Sequence, residues 1–134
     1  MRRPRSAKPT DAELSILKVL WRKGPSTVRV VQEAMSEQRK TGYTTALKLL
    51  QIMTDKGLVD RDESTRAHVY RPRSSETETQ QQMVGDLIDR VFGGSVAKLV
   101  LHSLSSQQAR PEDMCQIREM LANLEQDQAQ NVED

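Results

Sequence analysis

Cysteine and aromatic residues are scarce in this sequence of 134 residues. The single cysteine, Cys115, excludes an internal disulfide framework and leaves no second thiolate for a metal site. Aromatic residues make up 3% of the chain and hydrophobic residues 36%, so we expect the chain to build only one modest core by itself. A second core is expected to need a partner chain.

Long apolar segments are also absent. No run of apolar residues approaches the length that spans a membrane. The N-terminal segment MRRPRSAKP carries positive charge but lacks the apolar stretch of a secretory signal. We therefore expect a soluble protein of the cytoplasm that does not insert into membranes.

The sequence contains no motif that is typical of an enzyme. It lacks a glycine-rich phosphate loop, a nucleophile elbow and the spacing of metal ligands. The adjacent acidic pairs at 62–63 and 112–113 lie on predicted surface elements and are interpreted as solvated charges. His68 and His102 are far apart and have no neighbouring ligand residues. We predict no catalytic residue, no metal site and no cofactor.

Charge is distributed unequally along the chain. Residues 1–73 hold 16 Lys and Arg against 8 Asp and Glu, a net charge of +8, whereas residues 74–134 hold 4 against 11, a net charge of −7. Affinity for nucleic acids depends largely on the neutralisation of phosphates. The N-terminal half is therefore the expected nucleic-acid-binding part, and the acidic half is expected to stay off DNA.

The N-terminal half has the pattern of three helices. Thr10 and Glu13 form a capping box that starts the first helix. Ser26 is expected to cap a second helix, which ends at about residue 36. A third helix begins near Tyr43 and ends before Gly57. Its apolar residues share one face because they recur at helical spacing: Ala46, Leu49, Leu50 and Met53.

A short basic hairpin follows the third helix. Alternating apolar and polar residues at 58–61 and 68–71 predict two strands across a small polar turn. Three helices and a two-stranded wing make the winged variant of the helix-turn-helix fold, here over residues 9–73. The predicted fold class is thus mainly α with a small β-wing, followed by a three-helix dimerisation region.

In such a fold the third helix enters the major groove. Its polar face is expected to contact base edges and adjoining phosphates through Thr44, Thr45, Lys48 and Gln51, and Leu47 is placed to touch a thymine methyl group. The arginines of the hairpin are expected to bind the DNA backbone: Arg61, Arg66, Arg71 and Arg73. The same pattern also fits an ordinary amphipathic helix packed on an edge hairpin.

The two ends of the chain are predicted to lie outside the folded domains. Residues 1–8 form a basic arm that is either disordered or contacts the minor groove through Arg2, Arg3 and Arg5. Residues 127–134 are expected to form a flexible acidic tail.

The segment 74–126 is predicted to form three amphipathic helices that dimerise. Three small helices cannot easily bury their apolar stripes alone, so a homodimer is expected. The alternative is a monomer whose helices fold back on the winged helix. The predicted dimerisation residues are Val84, Leu87, Ile88, Val91, Phe92, Leu99, Val100, Met114, Ile117, Leu121 and Leu124.

Several segments, in order along the chain, resemble the BlaI/MecI family of penicillinase-type repressors. The resemblance covers residues 9 to about 125 and implies a dimeric winged-helix repressor that binds dyad operators. The matching segments are Pro9-Thr-Asp-Ala-Glu-Leu14, Val19-Leu-Trp21, Tyr43-Thr-Thr45, Leu49-Leu-Gln-Ile-Met53, Lys56-Gly-Leu-Val59, Val69-Tyr-Arg71, Phe92-Gly-Gly94 and Leu99-Val-Leu101.

The resemblance also implies a route of release. In the best-known members, a membrane metalloprotease sensor pathway triggered by β-lactam leads to cleavage of an Asn-Phe bond after the Leu-Val-Leu segment. The matching pair here is His102-Ser103, so the position is a candidate cleavage site but the family's cleavage specificity and β-lactam induction are not implied. A copper-responsive branch carries paired Cys-x-Cys motifs, which this chain lacks.

We interpret the sequence as that of a homodimeric transcriptional repressor. It is expected to bind palindromic double-stranded operator DNA through the third helix and the wing, since two reading helices about one helical turn apart match a two-fold site. The alternative is a winged-helix module that binds protein or RNA without operator specificity.

Overall fold

The computed structural model describes residues 8–133. The predicted contacts of Arg2, Arg3 and Arg5 lie outside the described residues. The chain divides into two compact units, one up to Gly85 and one from Asp86 onward. Its elements are α1 (Asp11–Lys23), β1 (Ser26–Thr27), α2 (Val28–Ser36), α3 (Tyr43–Lys56), β2 (Val59–Asp62), β3 (Val69–Pro72), α4 (Glu76–Val91), α5 (Val96–Ser105) and α6 (Pro111–Glu133).

The first helix starts at the predicted capping box. The Glu13 amide donates to Thr10 Oγ1 at 3.2 Å, and the Thr10 amide donates to Glu13 Oε1 at 2.9 Å. The third helix ends where predicted, at Gly57, whose φ of 82° lies in the left-handed region that glycine adopts without strain. Both ends of the α1–α3 segment are thus fixed by local sequence.

The prediction that Ser26 caps the second helix was wrong. Ser26 lies in strand β1, where it is paired with Tyr70 of β3, and its hydroxyl donates to the Gly24 carbonyl at 2.8 Å. The cap is Thr27, whose Oγ1 accepts from the Val30 amide at 3.4 Å. Pairing with a distant strand moved the helix start by one residue, and it adds a third strand to the wing in the order β1-β3-β2.

The described part of the winged helix is built around one core, which joins α1, α2, α3 and the sheet. The half-buried Trp21 packs against this core and donates from Nε1 to the Ser74 carbonyl at 3.0 Å, which ties the start of α4 to α1. The core residues are Ile16, Leu17, Leu20, Val28, Val31, Ala46, Leu50, Met53, Val59 and Tyr70. The predicted winged-helix fold is confirmed by this arrangement.

A buried ion pair fixes the C-terminal end of α3. The side chain of Glu13, with only 2% of the residue exposed, accepts from Lys56 Nζ at 2.6 Å. The same ammonium group donates to the Lys8 carbonyl at 3.2 Å. The pair joins the first turn of α1 to the last turn of α3, so Glu13 has a long-range role in addition to its cap.

The C-terminal helices differ from the predicted boundaries in two ways. The first part of α4 lies in the N-terminal unit, where Thr79 is buried, and the division between the two units falls at 85–86, whereas the sequence suggested 73–74. Most of the segment expected to form a flexible tail lies in α6, which continues to Glu133. No proline or glycine follows Pro111 to end that helix.

None of the helices within residues 8–133 combines the length and the apolar composition that a membrane span requires.

We predict that Lys56→Met destabilises the N-terminal unit. The substitution leaves the Glu13 carboxylate buried with the Thr10 amide as its remaining described donor. Loss of a buried partner costs about 3–5 kcal/mol, and because Lys56 is partly exposed we expect about 2 kcal/mol less free energy of unfolding. Urea denaturation at a fixed protein concentration measures this change.

The matched control for that variant is Lys40→Met. Lys40 is exposed in the link before α3 and forms no ion pair within the described part of the chain. The control is expected to stay within about 0.5 kcal/mol of the parent protein. Equal unfolding free energies for the two variants would contradict a stabilising role for the ion pair.

Candidate nucleic-acid interface

The outer face of α3 brings together the residues that the sequence predicted for base contacts. Thr44, Thr45, Lys48 and Gln51 are exposed, and Leu47 is half-buried beside them. The opposite face of the helix is buried. The exposed face offers hydroxyl, ammonium and amide groups, which can donate to or accept from base edges in a major groove.

The N-terminal end of α3 is open toward solvent. Its cap residue is Gly42, which supplies no side-chain hydrogen bond to the first turn. Tyr43 follows with 52% of its surface exposed. The first-turn amides therefore have no side-chain acceptor from the cap, and a large amphipathic ring stands beside them.

A groove separates the start of α3 from the tip of the wing. Arg29 of α2, Tyr43 of α3 and the wing residues Arg66 and His68 all line it, together with Leu47. Sequence reasoning missed Arg29 and Tyr43 as interface residues and considered His68 only as a metal ligand. No periodic pattern links these positions, because three separate elements bring them together.

The wing arginines are not equally available. Arg61 Nε lies 2.8 Å from Glu63 Oε1, Arg73 Nη2 lies 2.5 Å from Asp60 Oδ1, and Arg71 lies 3.7 Å from Asp62. Three of the four wing arginines thus have carboxylate partners, and the role of all four in binding the DNA backbone stays a prediction. Arg66 is exposed and has no ion-pair partner within residues 8–133.

Hydrogen bonds at the wing also shift two pKa values. The hydrogen bond to Asp60 raises the pKa of Arg73 above its ordinary value. Hydrogen bonds from the Ser64 side chain and amide, with a smaller effect of the Arg71 charge, lower the pKa of Asp62. The Ser64 amide donates to Asp62 Oδ1 at 2.9 Å, so Asp62 also organises the turn at the wing tip.

The C-terminal helices leave the predicted dimerisation residues uncovered. None of the side chains from residue 80 to residue 131 is buried. Ile88, Phe92, Leu99 and Ile117 are half-buried. The others are exposed: Val84, Leu87, Val91, Val100, Met114, Leu121 and Leu124. Three more exposed apolar residues lie on α5 and α6 outside the predicted dimerisation set, which are Val96, Leu101 and Met120.

The candidate cleavage pair, His102 and Ser103, lies inside a helix. Both residues belong to α5. Ser103 Oγ donates to the Leu99 carbonyl at 2.8 Å, one turn earlier, and the His102 ring lies 5.4 Å from the Phe92 ring. The helix continues because no glycine or proline interrupts it before Ser106.

Within residues 8–133, no group of three or more His, Cys, Asp or Glu side chains is placed to hold a metal ion.

Comparison with known proteins gives consistent matches over most of the chain. The model of the penicillinase repressor family matches residues 9–123. The transcriptional regulator BlaI of Mycobacterium tuberculosis is 35% identical over 117 residues, which cover 86% of this chain and 83% of that protein. The penicillinase repressor of Bacillus licheniformis is 23% identical over 112 residues, which cover 84% of this chain and 88% of that protein.

A solved structure supports the fold. The solution structure of the DNA-binding domain of the repressor BlaI superposes with a TM-score of 0.50 at 23% sequence identity. The superposition covers 57% of this chain and 93% of that domain. This likeness shows a shared winged-helix fold in the N-terminal part.

Proposed function

The chain belongs to the penicillinase repressor family, whose members are transcriptional repressors and not enzymes, and we propose that it is a homodimer that binds palindromic operator DNA. The observation that carries this proposal is the two-sided third helix. Ala46, Leu50 and Met53 have no exposed surface, whereas Lys48 and Gln51 on the other face point into solvent. Such a helix fits a major groove.

Charge around the third helix supports a DNA partner. Residues 1–73 carry a net charge of +8, and Arg29 and Arg66 line the groove beside the start of α3. Phosphate contacts from this groove would fix the orientation of α3 without reading sequence. Thr44, Lys48 and Gln51 would then read base edges.

Uncovered apolar side chains support the homodimer. Leu121 and Leu124 of α6 are about half exposed, and Val91 of α4 is 60% exposed. Monomers rarely leave so many large apolar groups in water on three successive helices. A second copy of the same helices would cover them and would link two reading heads into one operator-binding unit.

The test of this function is selection of duplexes from a random-sequence DNA library by the full chain. We expect enrichment of an inverted repeat whose half-sites lie about one helical turn apart. The affinity should fall steeply with salt. Equal affinity for a structured RNA hairpin, or no enriched motif, would favour the module without operator specificity and would overturn the proposal.

Substitution of the reading face provides the second test. Lys48→Ala with Gln51→Ala should weaken binding to the selected duplex by about 1–3 kcal/mol per lost base contact, with relaxed sequence preference. Arg66→Ala should instead weaken all duplexes similarly and lower the salt slope by about one. If the double variant keeps full affinity and preference in a gel-shift titration, α3 is not the reading helix.

The dimer assignment predicts the effect of Leu121→Asp. A carboxylate beside Met114, Ile117 and Leu124 would be buried without a partner, at a cost of several kcal/mol, so we expect monomers. Asn123→Asp adds the same charge about half a turn away and should leave the dimer intact. Light scattering distinguishes these outcomes, and an unchanged dimer in the Leu121 variant would place the interface elsewhere.

Release of repression is proposed to act on the C-terminal half. Family resemblance supports cutting by a membrane metalloprotease sensor pathway, but the His102–Ser103 bond lies inside α5 and a helical bond is a poor protease substrate. The non-helical link at 106–110 is more accessible. A cut there would also separate α6 from the DNA-binding unit.

Limited proteolysis tests that location. We expect a protease of broad specificity to cut the full chain first within 106–110, because this link is mostly exposed and lies outside the helices. Intact-mass spectrometry of the products identifies the bond. A first cut at 102–103 would show that α5 opens more readily than the link, and would restore the position implied by the family.

A further inference from the structure

Carboxylates alternate with arginines along the wing. In the register of the sheet, Asp60 of β2 lies opposite Arg71 of β3, while Arg61 lies opposite the buried Tyr70. Because strand residues alternate between faces, Asp60, Asp62, Arg71 and Arg73 share the outer face of the wing. Positive and negative groups are therefore interleaved on the side that is turned away from the core.

Two carboxylates of the wing, those of Asp60 and Glu63, contact arginine side chains at short distance. Asp60 Oδ1 accepts from Arg73 Nη2 at 2.5 Å and from Arg73 Nε at 3.1 Å. Glu63 Oε1 lies 2.8 Å from Arg61 Nε. Asp62 has a separate task, because it accepts from the Ser64 amide and shapes the turn.

These contacts affect how readily the arginines of the wing can bind phosphates. A guanidinium that already donates to a carboxylate must leave it, or share its donors, before it can bind a phosphate. The carboxylate that remains also repels the phosphate. Of the four wing arginines, Arg66 is ready to bind without such an exchange.

We propose that Asp60 and Glu63 are specificity-determining residues, which hold Arg73 and Arg61 away from DNA of unsuitable sequence. This inference rests on the proposed DNA-binding function. On random DNA the wing is not pressed against the backbone by base contacts, so the arginines stay with their carboxylates. On the operator, base contacts of α3 fix the wing beside the phosphates, and the phosphates replace the carboxylates. The carboxylates thus weaken binding to random DNA more than binding to the operator.

The test compares two double variants that change charge equally. Asp60→Asn with Glu63→Gln removes the two wing carboxylates and keeps the size of both side chains. Glu125→Gln with Asp127→Asn makes the same change on exposed positions of α6, in the other unit. Circular dichroism confirms that each variant is folded. Each is titrated by fluorescence anisotropy at several salt concentrations, with a duplex selected by the parent protein and with a random-sequence duplex of equal length.

We expect the wing variant to bind the random duplex about three- to tenfold more tightly, with a salt slope steeper by about one to two, since each added phosphate contact contributes about 0.9. The gain on the selected duplex should be smaller, so the ratio of selected to random affinity falls. The α6 variant should match the parent protein in both affinities.

Three results would overturn this inference while leaving the proposed function intact. They are unchanged binding by the wing variant, an equal gain by the α6 variant, and an equal gain of the wing variant on both duplexes. Failure of the parent protein to bind any duplex would instead overturn the proposed function, and this inference with it.

Discussion

The third helix presents polar side chains to solvent because its other face is held in the core. Ala46, Leu50 and Met53 have no exposed surface, and rotation of α3 would expose the two larger of them at a cost of about 1.5–3 kcal/mol each. Lys56 contacts the buried Glu13 carboxylate at 2.6 Å, so a shift along the helix axis would break an ion pair as well. The orientation of the polar face of α3 is therefore set by groups on the opposite side of the helix and at its end.

Local patterns in the sequence were sufficient to predict the third helix but not the contacts around it. The helical spacing of Ala46, Leu50 and Met53 and the stop at Gly57 depend on residues a few positions apart, and both predictions are confirmed. Ser26 was predicted as a cap from its residue type alone. Its strand partner, Tyr70 of β3, is 44 positions away, and such a pairing cannot be inferred from local propensity. Glu13 was identified as a cap, whereas its bond to Lys56 across 43 positions left no local signal.

Counting charge along the sequence does not reveal which arginines of the wing already have carboxylate partners. A net charge of +8 for residues 1–73 correctly marks the basic half, but long-range steering depends on that net charge and contact affinity depends on which cations are free. Arg73 and Asp60 are 13 positions apart and meet only because the hairpin brings them together. If the wing binds DNA as proposed, partial neutralisation within the wing would favour selective binding over tight binding to every sequence, and α3 would have to supply the difference between sequences.

The proposed DNA-binding groups and the proposed dimer interface lie on different helices. The groups proposed to read DNA lie on α3 and the wing, whereas the large exposed side chains of α5 and α6, such as Leu101 and Leu121, belong to the other unit. An interface on those helices would set the distance between two reading heads and their effective concentration without touching a base. Operator affinity would then depend on protein concentration and on the integrity of α4 to α6, even with an unaltered reading face. A signal that damages the C-terminal unit could therefore end repression while each reading head still folds and recognises its half-site.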